Sequence, residues 1–320
     1  MRNMALDIMK AIGILLVIIG HNTSGVGYHY IYSFHMPMFF IIAGYLWKER
    51  NIWQSLSHDL KRILLPYLTY FLVVAVGWYI FRGVSVFNIE QDFLKVIWGS
   101  YDRVDVLGHH VQGVGFLWFL PALYVCKNVF NVIYVGWKWL NERQKLSYVC
   151  MYVCMFAGIL IHTKLFPLPF ALTTGFNALG YFSIGQIMRV WLKDISVLDN
   201  IAWYYKLAIV LVFAMLGWYT MNGMGTCSYS IFPLDYIAGV SGTIVCYYIS
   251  KRISKINWLG KIIAIVGQYT ISILLIYQFI NDYAWLVSID YSKHVVLMML
   301  TILIALIYVF SHYTVTRLKI

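Results

Sequence analysis

The feature that most constrains this chain is a ladder of apolar stretches, each long enough to cross a bilayer and each closed by polar or basic residues. Segments at 5–22, 32–47, 63–81, 116–136, 146–163, 169–188, 206–222, 232–250, 262–281 and 294–314 predict about ten helices. In lipid the backbone of such a segment has to satisfy its own hydrogen bonds, which selects the helix. The sixth segment is the most interrupted, by Pro167, Pro169, Gly175 and Gly180. Composition agrees: 12% of the residues are charged and 61% hydrophobic, whereas soluble domains run near a quarter charged. The expectation is an all-α integral membrane protein, one polytopic domain over residues 1–320 without a separate soluble domain.

The basic residues orient the ladder. Of 24 Lys and Arg, 17 fall on one face when loops are assigned alternately from the N-terminus. Five (Arg82, Lys95, Arg103, Lys164 and Lys293) fall on the other, and Lys10 and Lys127 lie within segments. By the positive-inside rule both termini are cytoplasmic. The net charge of +11 is spread over short loops, so it reads as topology signal and contact with anionic membrane lipids, not as a nucleic-acid stripe. Lys10 stands within the first apolar run and no small-residue cleavage site follows it, so a retained first helix is expected in place of a signal peptide.

The five cysteines (Cys126, Cys150, Cys154, Cys227 and Cys246) read as small apolar packing residues, with no disulfide framework and no metal-ligand spacing. The longest external connection, 82–115, has room for an amphipathic segment or a lid. Its pair His109-His110 lacks neighbouring ligands and reads as polar surface; no metal is expected.

Ionisable groups inside spans are expensive and are functional candidates by default. Lys10 and His21 bracket ten apolar or glycine residues. Eleven residues is about three helical turns, so both side chains project from one face, about 16 Å apart. His35 opens the next segment on the same external side, after a connection of about ten residues, so two imidazoles converge on one pocket. Histidine is the usual general base for a hydroxyl at neutral pH; the bland alternative is two interfacial histidines satisfied by water or backbone. Lys61 and Arg62 are either a positive-inside anchor or a site for a phosphorylated cytosolic ligand. Trp118, one turn before Pro121, is an aromatic-belt residue or part of a shaped opening. Asp235, near the external end of its segment, either orients a histidine or is solvated. Tyr28, Tyr30, Tyr32 and Trp118 suit stacking on sugar rings.

Four stretches resemble the membrane-bound acyltransferase 3 family, which O-acylates sugars and surface polysaccharides. They are Leu6-Asp7-Ile8-Met9-Lys10 through His21; Phe34-His35-Met36-Pro37-Met38-Phe39-Phe40 with Gly44-Tyr45; Lys61-Arg62 with Pro66-Tyr67; and Leu117 to Leu123. The late Gly267-Gln268-Tyr269-Thr270 is similar too, although the family often has a histidine where this chain reads Ile276-Tyr277-Gln278. The chain looks like a stand-alone sugar acetyltransferase of bacterial inner membranes, without the hydrolase-like domain that larger members carry. The resemblance implies acyl transfer from a cytosolic acyl-CoA, most simply acetyl-CoA, to a hydroxyl of a glycan or lipid-linked sugar. On it, His21 is the base, His35 positions substrate or shares the proton, and Lys10, Lys61 and Arg62 serve the donor. Tyr32, Trp118 and Asp235 serve the acceptor. The rival reading is a transporter or flippase of a lipid-linked sugar using the same buried groups.

Overall fold

The computed structural model describes residues 3–22, 25–82, 89–106, 108–140, 152–155, 158, 168–286 and 294–318. Among these residues the chain is almost wholly helical: α1 (Met4–Gly20), α2 (Val26–Leu46), α3 (Ile52–Asp59), α4 (Leu65–Arg82), α5 (Ile89–Trp98), α6 (Phe119–Leu140), α7 (Leu172–Leu192), α8 (Trp203–Tyr219), α9 (Leu234–Ser254), α10 (Asn257–Val266), α11 (Thr270–Leu286) and α12 (His294–Leu318). Two short antiparallel hairpins complete it, β1 (Val104–Val106) with β2 (His109–Val111) and β3 (Asn222–Gly223) with β4 (Ser228–Tyr229).

The expected all-α class holds, and the surface is that of a membrane protein. The continuous stretches Ile52–Gly77 and Gly115–Lys138 are long and apolar enough to cross a bilayer, and α10 with α11 forms a third such stretch bent by 62°. Only 17% of the apolar window of Ile52–Gly77 is buried, and Leu72 and Val73 on it are exposed. Such a helix needs lipid to cover it.

Three local expectations change. The link between α1 and α2 is residues 21–25, not ten residues, because α2 begins at Val26 and takes Tyr28, Tyr30 and Tyr32 into the helix. The segment 262–281 is not one helix but breaks at Gly267-Gln268-Tyr269. The sixth segment is a continuous helix from Leu172, preceded by a short turn at Pro169–Ala171. The expected segment 146–163 and Cys150 fall mostly outside the described residues. The other four cysteines are buried.

The residues form two compact units. The first comprises Met1–Phe39, Ile201–Met221 and Pro233–Ile320, and α1 is its axis. Asn3 caps α1 by accepting from the Ala5 amide at 3.0 Å, and Asp7 in the first turn suits the positive helix end. Buried residues on every side of α1, among them Ile8, Met9, Ala11, Ile14 and Ile18, mark a helix enclosed by others; α9, α10 and α11 pack against it. The break after α10 explains itself at Gly267: a Cβ there would lie 1.8 Å from the Asp7 carbonyl oxygen, so only glycine lets the chain turn against α1. The carbonyls freed by the break take the amides of Gly267, Gln268 and Tyr269 within 3.1 Å.

The second unit comprises Phe40–Asn200 and Asn222–Phe232. Here α2 and α7 cross glycine to backbone: a Cβ on Gly44 would meet the Phe182 oxygen at 1.9 Å, and one on Gly185 the Ile41 oxygen at 2.0 Å. Helices α3 and α4 run on through a π-turn, Leu60–Leu64. In the connection 82–115, α5 is tied to α4 by the Tyr67 hydroxyl, which donates to the Val96 carbonyl at 2.8 Å.

Candidate active site

The first unit brings together a group of aromatic and imidazole side chains at the end of α1. His21 is the C-terminal cap of α1, just past its last turn. Tyr32, on α2, places its hydroxyl 2.9 Å from His21 Nδ1. The Tyr32 ring also meets the His35 ring edge-on, with centroids 5.0 Å apart. One tyrosine therefore touches both histidines. The short link and early start of α2 make this possible, since they bring residue 32, and not only residue 35, alongside residue 21.

His35 is 2% exposed, and its Nδ1 donates to the Ile31 carbonyl at 2.7 Å. A carbonyl oxygen only accepts, so Nδ1 carries a hydrogen, and in the neutral ring Nε2 keeps its lone pair. His21 differs, because a hydroxyl either donates or accepts. For Nε2 of His21 to accept a proton, Nδ1 has to carry hydrogen and donate it to Tyr32 Oη, which the 2.9 Å separation allows.

Two further residues join this group. The Asn22 amide donates to the Ile18 carbonyl at 2.7 Å and to Tyr277 Oη at 3.1 Å. The Tyr277 ring lies alongside His21, centroids 6.5 Å apart and tilted by 31°. Asp235 is fully buried in the first turn of α9, a helix that packs on α1. Lys10 lies on α1 as expected, about 16 Å below His21 by helical rise, and forms an ion pair with Asp7 at 2.7 Å. The two occupy one face, as residues three apart do.

The second unit holds the other candidates. Lys61 and Arg62 are exposed on the π-turn, a distortion that often accompanies functional positions. Directly before them the Asp59 carboxylate is 1% exposed and accepts from Lys127 Nζ at 2.7 Å. His58 Nδ1 lies 3.0 Å from the same oxygen, and Arg50 Nη1 lies 3.3 Å from that nitrogen. Trp118 is 5% exposed; its indole packs where a Cβ on Gly225 would come within 2.9 Å. On the hairpin, His110 is hydrogen-bonded to Asp105, and this holds the Asp105 carboxyl below its usual range. Among the described residues no cluster of three metal-ligating side chains occurs.

The acyltransferase 3 family model, an acyltransferase domain, matches residues 3–315. The chain belongs to the acyltransferase 3 family. No curated protein and no solved structure matches it. As an acyltransferase 3 protein it is a membrane acyltransferase, and the histidines at the end of α1 gain a chemical context that hydropathy alone does not give.

Within this acyltransferase, sequence reasoning brings His21 and His35 to one pocket but misses how they connect, because Tyr32 reads as a sugar-stacking aromatic and is found bonded to His21. It gives Asp7 no role, although an acidic residue three before a lysine within an apolar run is the signal for its counter-ion. Tyr277 and Gln278 stand out only as a departure from the family pattern. The structure puts Tyr277 against His21 and turns Gln278 to Asp282, to which its amide donates at 2.8 Å.

Proposed function

We propose that this acyltransferase moves an acyl group, most simply acetyl, from cytosolic acetyl-CoA to a hydroxyl of a sugar in a surface polysaccharide or lipid-linked glycan. The setting proposed is a bacterial inner membrane crossed about ten times with both termini cytoplasmic, for which the 17-to-5 division of basic residues is the support.

The observation that carries the reading is the His21–Tyr32 hydrogen bond with His35 packed against the same tyrosine ring. His21, its Nδ1 hydrogen given to Tyr32, takes the acceptor hydroxyl's proton at Nε2. The acceptor oxygen bonds to the thioester carbonyl carbon, the carbon–sulfur bond breaks, and the imidazolium returns its proton to the departing thiolate. Atoms and charge balance without a metal or an oxidant. His35, its Nε2 lone pair set by Ile31, positions the acceptor by taking a hydrogen bond from it. Asp235 is assigned to the orientation of this group and Tyr32 to its acceptor side; Trp118 is assigned to the acceptor in its own unit. Lys61 and Arg62 are assigned to the donor's phosphates. Lys10, held by Asp7, is assigned to the donor in its own unit.

The test is purified protein in lipid vesicles, given acetyl-CoA labelled in the acetyl group and extracted glycans. Alkali-labile label in the glycan, formed without a proton gradient, supports the reading. Gradient-driven movement of a lipid-linked sugar without label transfer would overturn it in favour of transport.

A further inference from the structure

We infer that Asn22 and Tyr277 are a positioning pair for His21, an inference that rests on His21 being the base. They are 255 residues apart in sequence and joined by one hydrogen bond. Asn22 is the residue immediately after the α1 cap. Its amide ties the Ile18 carbonyl, one of the last acceptors of the helix, to the Tyr277 phenol. The bond thus fastens the end of α1, where His21 sits, to the middle of α11. Tyr277 is 5% exposed, so its ring is a fixed wall beside the imidazole.

An imidazole at a helix end has two side-chain torsions to settle, and the second is broad. Tyr32 fixes the direction of Nδ1. Tyr277 stands beside the ring, and the bond from Asn22 holds it there. The Nε2 lone pair is then held where a hydroxyl proton has to be met, and general-base catalysis is steep in that geometry. Neither residue touches the reacting atoms in this account; both act through His21.

The test compares Tyr277→Phe, Asn22→Ala and the double variant in the full-length protein in lipid vesicles, with labelled acetyl-CoA and the acceptor glycan. Each single change should lower kcat about fivefold to tenfold, the worth of one neutral hydrogen bond. KM for acetyl-CoA should stay unchanged. The double variant should lose no more than Asn22→Ala alone, because both changes remove the Asn22–Tyr277 bond and Asn22→Ala also removes the bond to the Ile18 carbonyl. Tyr277→Leu, which also removes the wall, should lose more. Wild-type kcat in both single variants, losses that multiply in the double variant, or a rise in KM with kcat intact would each overturn the proposal. The two assignments separate cleanly: an active His21→Ala refutes the base, whereas an inactive His21→Ala beside fully active Tyr277→Phe and Asn22→Ala refutes the positioning pair alone.

Discussion

Substitution of Gly267 by alanine should disable the enzyme from a position far from any reacting atom. An added Cβ would stand 1.8 Å from the Asp7 carbonyl oxygen, 2.7 Å from its carbonyl carbon and 3.2 Å from the Ala11 amide nitrogen. Real Cβ contacts do not fall below 3.0 Å, so α1 and the break between α10 and α11 have to part by at least 1.2 Å, the difference of those two distances. All three contacts are backbone atoms of a buried helix, so no side chain can rotate away. Overpacking of this kind costs about 1–3 kcal/mol. The functional effect is larger, because α1 carries Lys10 and ends at His21, and a misplacement of about 1 Å can cost about a hundredfold in rate. The comparison variant is Gly77→Ala, where nothing lies within 4 Å of the added carbon and helix propensity favours alanine by about 1 kcal/mol. Thermal unfolding in detergent and labelled-acetyl transfer should both fall for Gly267→Ala and neither for Gly77→Ala. Equal melting temperatures and equal rates for the two variants would refute the close-approach argument.

Two further outcomes follow from the polar contacts. Tyr32→Phe should lower kcat about fivefold to tenfold while leaving the protein folded, since it removes one hydrogen bond to His21 and keeps the ring against His35; transfer rates and near-ultraviolet circular dichroism check both parts. Lys127→Met should leave the Asp59 carboxylate buried without its ammonium and cost up to about 3–5 kcal/mol. Lys127→Met combined with Asp59→Leu should recover much of that, because it removes the buried carboxylate together with its ammonium; melting temperatures of the single and double variants decide it.

The helices were legible because apolar runs favour them, and helices stand at eight of the ten expected segments; among the described residues two stretches, or three with the bent pair, are long and apolar enough to cross a bilayer. What escaped was set by contacts that hydropathy does not encode. The break at Gly267 falls inside an apolar run, and its cause is the backbone of residue 7. The interrupting glycines of the sixth segment are likewise packing points: Gly175 leaves room for Val125. At the site, Lys10, His21 and His35 stood out because charge in an apolar run is costly. Tyr277 stood out only as a departure from the family pattern and Lys127 only as a lysine within a segment, because the partner of each lies far away in sequence.

The central claim is that His21 accepts the acceptor's proton, and the most direct measurement is the rate at which purified His21→Ala moves labelled acetyl from acetyl-CoA to glycan in vesicles. General-base catalysis contributes about 10²–10⁴-fold, so the variant should lose at least about a hundredfold in kcat while reaching the membrane in wild-type amount and melting at the wild-type temperature. Transfer within about twofold of wild type, against that expected loss, would contradict the account.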